Sequence, residues 1–204
     1  MTDQLAAVLG NADVKRLAAA LAARPGRSVP AEGAERYAAV AVVFRIGAGG
    51  EPELLMIKRA ELARDPWSGH VALPGGRSEP RDRDLEETAV RETWEETGID
   101  IRQRGRILGT LDDLAPRTPS LPPLVIRPFV AVVEPDVTII TSPEVADAFW
   151  VPLSALRERA SWGLGLVDIR GRGETEVDVF RHNEHTVWGL TERVLANLME
   201  KLES

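Results

Sequence analysis

The spacing of apolar and polar residues divides the chain into an N-terminal helical part and a longer part in which strands and helices alternate. Between residues 4 and 23 the apolar positions recur at helical intervals, with Asn11 or Asp13 available as an N-cap. A run rich in proline and glycine follows, which is typical of a linker. The sequence therefore predicts a helical appendage and linker over residues 1–34 and a main domain over residues 35–204.

The main domain is predicted to be of the α/β class. The run from residue 37 to 44 is almost wholly apolar, which is typical of a buried strand, and residues 53–57 are its expected hairpin partner. A short strand at residues 71–73 ends at a Gly-Gly turn. The other predicted strands are 107–111, 124–133, 137–140 and 148–151, and the predicted helices are 84–97, 153–159 and 186–202. Helices between strands that are partly joined as hairpins indicate a mixed sheet between helices.

Composition limits the partners that we expect for the protein. The chain has 204 residues and a formal net charge of −7, so a nucleic-acid backbone is not expected as its main partner. It has no cysteine, which excludes disulfides and thiolate chemistry and suits the cytoplasm. We expect no membrane span, because no apolar run approaches the roughly 18 residues that a span needs. No secretory signal pattern is visible either.

Three glutamates share one face of the helix predicted at residues 84–97. Glu92, Glu95 and Glu96 are three and four positions apart, and about 100° of rotation per residue places their side chains together. A divalent cation would relieve their repulsion, and oxygen ligands favour Mg²⁺ or Mn²⁺. A solvated surface helix is the alternative interpretation. The neighbouring Arg91 and the upstream Gly-Gly turn argue against it, since such a turn can approach a phosphate or a metal.

These residues resemble the signature of a known family. The segment is similar to the Nudix box: it has Gly75 and Gly76, then a spacer, then residues 91–99 (Arg-Glu-Thr-Trp-Glu-Glu-Thr-Gly-Ile). Proteins with this box hydrolyse nucleoside diphosphates linked to another moiety. The resemblance implies an α/β/α sandwich with a mixed sheet. It also implies that the three glutamates bind the metal and that Arg91 orients them. A backbone carbonyl of Gly75 or Gly76 is implied as a further ligand.

The spacer in this box is one residue longer than usual. Gly76 lies fifteen residues before Arg91, where the usual separation is fourteen, and Arg83 stands where the family has a glutamate. Asp82 and Asp84 flank this position and are the expected substitutes. The same longer spacing occurs in the coenzyme A pyrophosphatase branch of the family.

The residues ahead of the box resemble the same branch. Residues 55–64 and 69–76 are similar to its extra signature, and residues 187–191 are similar to its C-terminal ending. The resemblance favours coenzyme A as the substrate, with Arg59 and Arg64 paired to phosphate groups in bidentate fashion. Two ordinary surface arginines are the alternative.

Several polar and aromatic residues outside the box have two interpretations. Glu144 is a candidate for an additional catalytic glutamate, since some Nudix enzymes carry one in such a loop, or it is an ordinary loop residue. His70 is expected to pack or to face solvent, with substrate contact as the lesser alternative. His182 and His185 are expected in a solvated polar loop. Trp67 would either anchor its loop or stack on a base.

The expected reaction is attack of water on a phosphorus atom of a pyrophosphate bond. Coenzyme A would then give 3′,5′-ADP and 4′-phosphopantetheine. Glu92 or Glu95 is the preferred proton acceptor, and Glu144 is the second candidate. ADP-ribose or another nucleotide derivative is the rival small-molecule substrate. A non-catalytic nucleotide-sensing module is the rival class, and a homodimer formed through the N-terminal residues stays open.

Overall fold

The structure is a computed structural model, and it describes residues 2–29, 36–61, 67–115, 123–169 and 173–203. Its strands are β1 (Arg36–Ile46), β2 (Pro52–Arg59), β3 (Val71–Ala72), β4 (Gly75–Arg77), β5 (Gly105–Thr110), β6 (Leu124–Val133), β7 (Val145–Pro152), β8 (Trp162–Ile169), β9 (Gly173–His182) and β10 (His185–Trp188). Its α-helices are α1 (Asp3–Gly10), α2 (Ala12–Ala23), α3 (Leu85–Thr97), α4 (Ile101–Arg104), α5 (Leu153–Arg157) and α6 (Gly189–Glu203). None of the described helices is long and apolar enough to cross a membrane.

A seven-stranded mixed sheet lies at the centre of the protein. Its main order is β3-β2-β1-β6-β5, with β4 also paired to β1 and β7 to β2. The two longest apolar strands, β1 and β6, run parallel from Arg36 beside Leu124 to Phe44 beside Val132. The strands β2 and β4 both pair with β1 in the antiparallel direction. The predicted hairpin and the predicted mixed sheet are therefore confirmed.

Alternate residues of the central strands face two separate apolar cores. Ala41 and Val43 of β1 belong to the smaller core, together with buried residues of α3 and α4. Val42 and Phe44 belong to the larger core on the opposite face, together with residues of α1, α2, α5 and α6. Because successive side chains of a strand point to opposite faces, one apolar strand supplies both cores. The result is the α/β/α sandwich that the family resemblance implied.

The N-terminal segment forms two helices that pack into the larger core. The side chain of Asn11 accepts hydrogen bonds from the backbone N–H of Asp13 and Val14, so it caps α2 after ending α1. The apolar stripe of the pair is buried in the larger core through Leu5, Val8, Val14, Leu17 and Leu21. These helices therefore share a core with the domain predicted for residues 35–204.

A second, antiparallel sheet has the order β10-β9-β8. It packs on the larger core through Phe180 and Val187, and the ring of Trp162 lies 5.0 Å from that of Phe180. The sequence did not predict β8 and β9.

The helix predicted over residues 186–202 is wrong at its start, because residues 186–188 belong to β10. The helix α6 begins at Gly189, whose φ of +69° permits the sharp turn out of the strand.

Two further predictions about strands differ from the structure. Residues 137–140 are not a strand, because they cover the end of α3: the Ile140 N–H donates to the Thr97 carbonyl, and Val137 is buried in the smaller core. Residues Gly75–Arg77 are more than a turn, because they form β4 and pair with β1. The predicted strand 107–111 agrees with β5 to within two residues at each end, and the predicted strand 148–151 lies inside β7.

Candidate active site

The helix α3 holds the predicted glutamates against the sheet. Asp84 begins it by accepting a hydrogen bond from the Glu87 N–H, and Gly98 ends it with a left-handed φ of +71°. Ala89 and Thr93 are fully buried, so this side of the helix is fixed on the smaller core. The helix therefore has little freedom to rotate, and the side chains on its β4 side are held beside the Gly-Gly turn.

Glu96 contacts the Gly-Gly turn directly. Its carboxylate accepts a hydrogen bond of 2.9 Å from the Gly75 N–H, and its side chain is only 6% exposed. Burial raises the pKa of Glu96 to about 7, against the lowering effect of the Gly75 N–H. The negative charges of Glu92 and Glu144 add to the increase, and Arg59 opposes it. A carboxylate in such surroundings is strongly stabilised by a cation.

Gly76 leaves room for the carboxylate of Glu92. A Cβ atom added at Gly76 would lie 2.5 Å from that carboxyl group, so glycine there lets the Glu92 carboxylate keep its place beside the backbone. Burial raises the pKa of Glu92, and the hydrogen bond and charge of Arg91 partly offset this effect. The structure thus brings Gly75, Gly76, Glu92 and Glu96 together, as the sequence predicted.

Arg91 is held by a buried aspartate in the spacer. Its Nε and Nη2 donate to the two carboxylate oxygens of Asp82, each at 2.9 Å, and the Asp82 side chain is 1% exposed. This pairing holds the pKa of Asp82 well below its usual range and raises the pKa of Arg91. The remaining guanidinium nitrogen, Nη1, donates to Glu92 at 2.8 Å and to Glu95 at 3.1 Å. Arg91 therefore links the spacer to two of the three glutamates.

The extra residue of the spacer explains which aspartate replaces the missing glutamate. Asp82 makes the contact with Arg91, whereas Asp84 is used as the helix cap. Arg83, at the position of the usual glutamate, points to solvent and pairs with Glu87 at 2.8 Å. Of the two substitutes expected from the sequence, the structure therefore selects Asp82.

Glu95 is the most exposed of the three glutamates, with 38% of its side chain accessible. Its carboxylate accepts from Arg91 and also from Arg81 Nη2 at 3.0 Å. Sequence analysis did not single out Arg81, because it lies in an irregular segment where no periodic pattern assigns it to a face. Arg81 also pairs with Glu79, so it joins the spacer loop to the glutamate face.

Arg59 and Glu144 lie on the other side of Glu96. Arg59 Nη1 is 4.0 Å from a carboxylate oxygen of Glu96. The next residue, Ala60, donates its N–H to the Glu144 carbonyl at 2.8 Å, so the loop of Glu144 is tied to the end of β2. Arg64 lies outside the described residues.

Two of the three histidines contact aromatic rings, and all three lie outside the glutamate cluster. His185 stacks on Phe149 with ring centroids 4.0 Å apart, and His70 lies 4.5 Å from Trp188. His182 is paired with His185 across the β9–β10 hairpin. The expectation that His182 and His185 occupy a solvated loop was wrong, whereas the packing expected for His70 was correct.

The candidate site supplies the right donors for a divalent metal ion, but they are engaged by other groups. Among the described residues, no three acidic or histidine side chains are already gathered into a metal cage. The reason is visible at Glu92 and Glu95, whose carboxylates are bonded to arginines. Carboxylate oxygens beside a backbone turn suit a hard cation such as Mg²⁺ or Mn²⁺.

Fold and site together define a class of protein. An α/β/α sandwich that sets an acidic helix against a Gly-Gly turn, with an arginine next to the carboxylates, is suited to hydrolysis of phosphoric anhydrides. The comparisons with known proteins agree with this class. The family model of the NUDIX domain matches residues 35–167. The chain therefore belongs to the Nudix family, and it is a hydrolase of pyrophosphate bonds that needs a divalent metal ion.

Individual relatives cover much of the chain. The uncharacterized Nudix hydrolase NudL of Photorhabdus laumondii is 33% identical over 165 residues, which are 80% of this chain and 84% of that protein. The mitochondrial coenzyme A diphosphatase NUDT8 of Homo sapiens is 32% identical over 143 residues, which are 70% of this chain and 59% of that protein. A NUDIX hydrolase from Alicyclobacillus acidocaldarius has the same fold, with a TM-score of 0.54 over 83% of this chain and 96% of that chain at 20% identity.

Proposed function

We propose that the protein hydrolyses the pyrophosphate bond of coenzyme A or an acyl-CoA, giving 3′,5′-ADP and 4′-phosphopantetheine. The observation that carries this proposal is the close contact between the Gly-Gly turn and Glu92 and Glu96, with Arg59 4.0 Å from Glu96. This contact brings the box glutamates next to residues of the signature ahead of the box, and that signature resembles the one of the coenzyme A branch. Relatives named as coenzyme A diphosphatases, including NUDT8, support the same substrate.

Glu92, Glu95 and Glu96 are proposed to hold Mg²⁺ or Mn²⁺, with the Gly76 carbonyl as a further ligand. Such an ion, when bound, neutralises charge on the phosphoryl oxygens and lowers the pKa of water. Arg91 keeps two of these glutamates in place because Asp82 holds it from behind.

The substrate phosphates are proposed to bind beside Glu96. Arg59 offsets negative charge on the phosphate that stays bound, and Arg64 is proposed to do the same. The Gly75 N–H reaches this position, since it donates to Glu96 at 2.9 Å, and a Cβ atom at Gly75 would lie 2.4 Å from the Ala39 carbonyl oxygen of β1. A side chain at Gly75 would therefore displace the strand pair that borders the phosphates.

The proton of the attacking water is proposed to pass to a glutamate. Glu92 is a stronger base than an ordinary glutamate, because burial raises its pKa. Glu95 is the equal candidate, since it is the more exposed of the two. Glu144 is the second choice, and it is near enough to Glu96 for its charge to raise the pKa of that group. Water adds across the bond, so one phosphate takes the hydroxyl group and the other takes the proton.

A substrate panel tests the proposal. Purified protein is incubated with Mg²⁺ or Mn²⁺ and with coenzyme A, ADP-ribose, NADH, a dinucleoside polyphosphate or a nucleoside triphosphate, and the products are resolved by chromatography. We expect the highest kcat/KM for coenzyme A. Turnover led by ADP-ribose would contradict the proposed substrate, and no turnover of any compound would favour a non-catalytic nucleotide-sensing module. The three intact box glutamates argue against such a module.

The proposed place of action is the cytoplasm, and the proposed partner is a small nucleotide derivative. The chain has no cysteine, which suits a reducing compartment, and its net charge of −7 disfavours nucleic acid. Relatives are named as mitochondrial and peroxisomal enzymes, so fractionation of cells that express the tagged protein is the direct test. A homodimer stays open until its mass is measured in solution.

A further inference from the structure

The hairpin formed by β8 and β9 extends beyond the core that supports its base. At the base, Trp162 packs against the fully buried Phe180. Two and four residues further along the same face of β8, Leu164 and Leu166 are 60% and 68% exposed. Together these two leucines form a small exposed apolar patch, and such patches are often interaction sites when polar residues border them.

Carboxylates border these two leucines. Across the hairpin, Leu164 is opposite Asp178, Leu166 is opposite Glu176, and the next pair on this face is Asp168 with Glu174. All four acidic residues are exposed. Among the described positions of β8 and β9 that share this face, no lysine or arginine is present.

Among the described residues of the hairpin, the nearest cation lies on the other face; Arg170 and Arg172, between the two strands in sequence, are outside the described residues. Arg181 passes over Gly165, where an added Cβ atom would lie 2.5 Å from its Nη2, and it donates to the Leu164 carbonyl at 2.9 Å. On the side of the helix α6, burial and the charge of Asp178 raise the pKa of the nearby Glu192. On the described part of this face, the charged neighbours of the leucines are therefore all carboxylates.

The edge of β8 is also open. Within the part of the chain that the structure describes, β8 pairs only with β9. The strand has no proline and no lysine, which are the residues that commonly protect an edge from further pairing. Apart from the Leu164 carbonyl, which accepts from Arg181, its outward backbone N–H and C=O groups can therefore pair with an extended segment as an additional strand.

We propose that this hairpin face, defined by Leu164, Leu166, Asp168 and the acidic residues of β9, docks a peptide segment of another protein with alternating apolar and basic side chains. The apolar side chains would cover the leucines, and the basic ones would neutralise the carboxylates. Nucleic acid and an anionic membrane are disfavoured by the same charges. A second copy of this chain is disfavoured because it would bring four more carboxylates to the interface. The surface is separate from the glutamate cluster and does not depend on the proposed function.

A designed peptide tests this docking surface. A fluorescein-labelled peptide of alternating lysine and leucine is titrated with the full-length protein, and its anisotropy gives Kd. We expect the double variant Leu164→Ser with Leu166→Ser to bind at least tenfold more weakly, and Glu176→Lys to weaken binding similarly. A peptide with glutamate in place of lysine should not bind.

Two control variants separate docking from general attraction to an acidic protein. Ile140→Ser removes an equally exposed apolar side chain, 69% accessible, far from the hairpin in sequence, and Glu203→Lys makes the same charge change at the end of α6. Both should leave Kd unchanged, and all variants should keep the wild-type melting temperature. Equal binding by the double leucine variant, or equal losses in the controls, would overturn the proposal. A dimer seen by ultracentrifugation and abolished by the leucine changes would assign the face to a second copy instead.

Discussion

At the scale of single residues, the site depends on one buried carboxylate that the usual form of the box does not contain. Asp82 holds Arg91 through two hydrogen bonds, and it also accepts from the Glu79 N–H and the Thr88 hydroxyl. The insertion in the spacer therefore moves the supporting acid by one position without removing it. Its partner Arg91 then orients Glu92 and Glu95.

The change Asp82→Asn should reduce both stability and activity. It removes one partner of a buried ion pair, a change that costs about 3 kcal/mol and leaves Arg91 free to turn away from the glutamates. We expect a lower melting temperature and a fall in kcat of at least tenfold, with weaker metal binding by calorimetry. Asp82→Glu should recover part of both. Glu86→Gln, an exposed carboxylate in the first turn of the same helix, is the control, and an equal loss there would contradict the role of Asp82.

Glu96 makes the stability of the metal-free protein depend on pH. Its folded pKa is about 7, whereas its ordinary value is 4.5, so the folded state binds more protons between these values. The contribution of Glu96 to stability is thus present below pH 4.5 and is lost as the pH rises to 7, by about 3 kcal/mol at most. Urea unfolding of chelator-treated protein at pH 5 and pH 7.5 measures this loss.

The control for this effect is Glu96→Gln, which cannot ionise. In that variant the specific loss of stability between pH 5 and 7.5 should disappear. The same slope in both proteins would assign the pH dependence to another group.

At the scale of elements, the contact between α3 and the Gly-Gly turn, whose two glycines begin β4, decides the position of the site. The two glycines of the turn meet different neighbours. An added Cβ at Gly75 would lie 2.4 Å from a backbone oxygen of β1, whereas the atoms nearest to one at Gly76 are those of the Glu92 carboxylate. Backbone cannot move aside at low cost, but the end of a glutamate side chain can.

Alanine at Gly75 should therefore reduce mainly stability, and alanine at Gly76 should reduce mainly activity. Gly75→Ala should lower the melting temperature clearly, because β4 must separate from β1. Gly76→Ala should change the melting temperature little and lower activity at least tenfold, because Glu92 is displaced. Thermal unfolding and initial rates of both variants check this, and equal melting temperatures for the two would contradict the geometry.

The elements that the sequence predicted well are those with a local pattern. The helix α3 has a cap, a buried stripe and a terminal glycine, and β1 and β6 are continuous apolar runs. The strands β8 and β9 were missed although apolar residues recur at every second position in both, because their glycines and acidic residues are uncommon in strands. The strand β10 was predicted as part of a helix, because Val187 fits the helical spacing of α6. Only the pairing of Val187 with Phe180 of β9 makes it part of a strand. The glutamate face was predicted because it needs one helix, whereas Arg81 and Asp82 depend on how a loop folds.

At the scale of the whole molecule, the N-terminal helices are part of the packed structure. Lys201 of α6 is buried, and it binds both the Arg24 carbonyl and Asp112, while Arg24 donates back to the Lys201 carbonyl. Leu21 is 2% exposed and touches the position of Gly109 in β5. The helices α1 and α2 thus contribute to the stability of the domain that carries the site.

The change Leu21→Ala tests this contribution. A buried leucine truncated to alanine costs about 2–5 kcal/mol, so we expect a lower midpoint in urea and a single unfolding transition for the whole protein. Lys15→Ala, an exposed position on the same helix, should have little effect. If Leu21→Ala instead produced a separate unfolding transition at lower urea concentration and left the main transition unchanged, the two helices would be an independent appendage.

Glu92, Glu95 and Glu96 together form the proposed hydrolytic site for coenzyme A. Their role is tested most directly by comparing the hydrolysis of coenzyme A by the wild type and by Glu95→Gln with saturating Mg²⁺, with products identified by mass spectrometry. The wild type should release 3′,5′-ADP and 4′-phosphopantetheine in equal amounts, and the variant should lose at least a hundredfold in kcat while it keeps its melting temperature. Turnover by a folded Glu95→Gln variant at close to the wild-type rate would contradict the account.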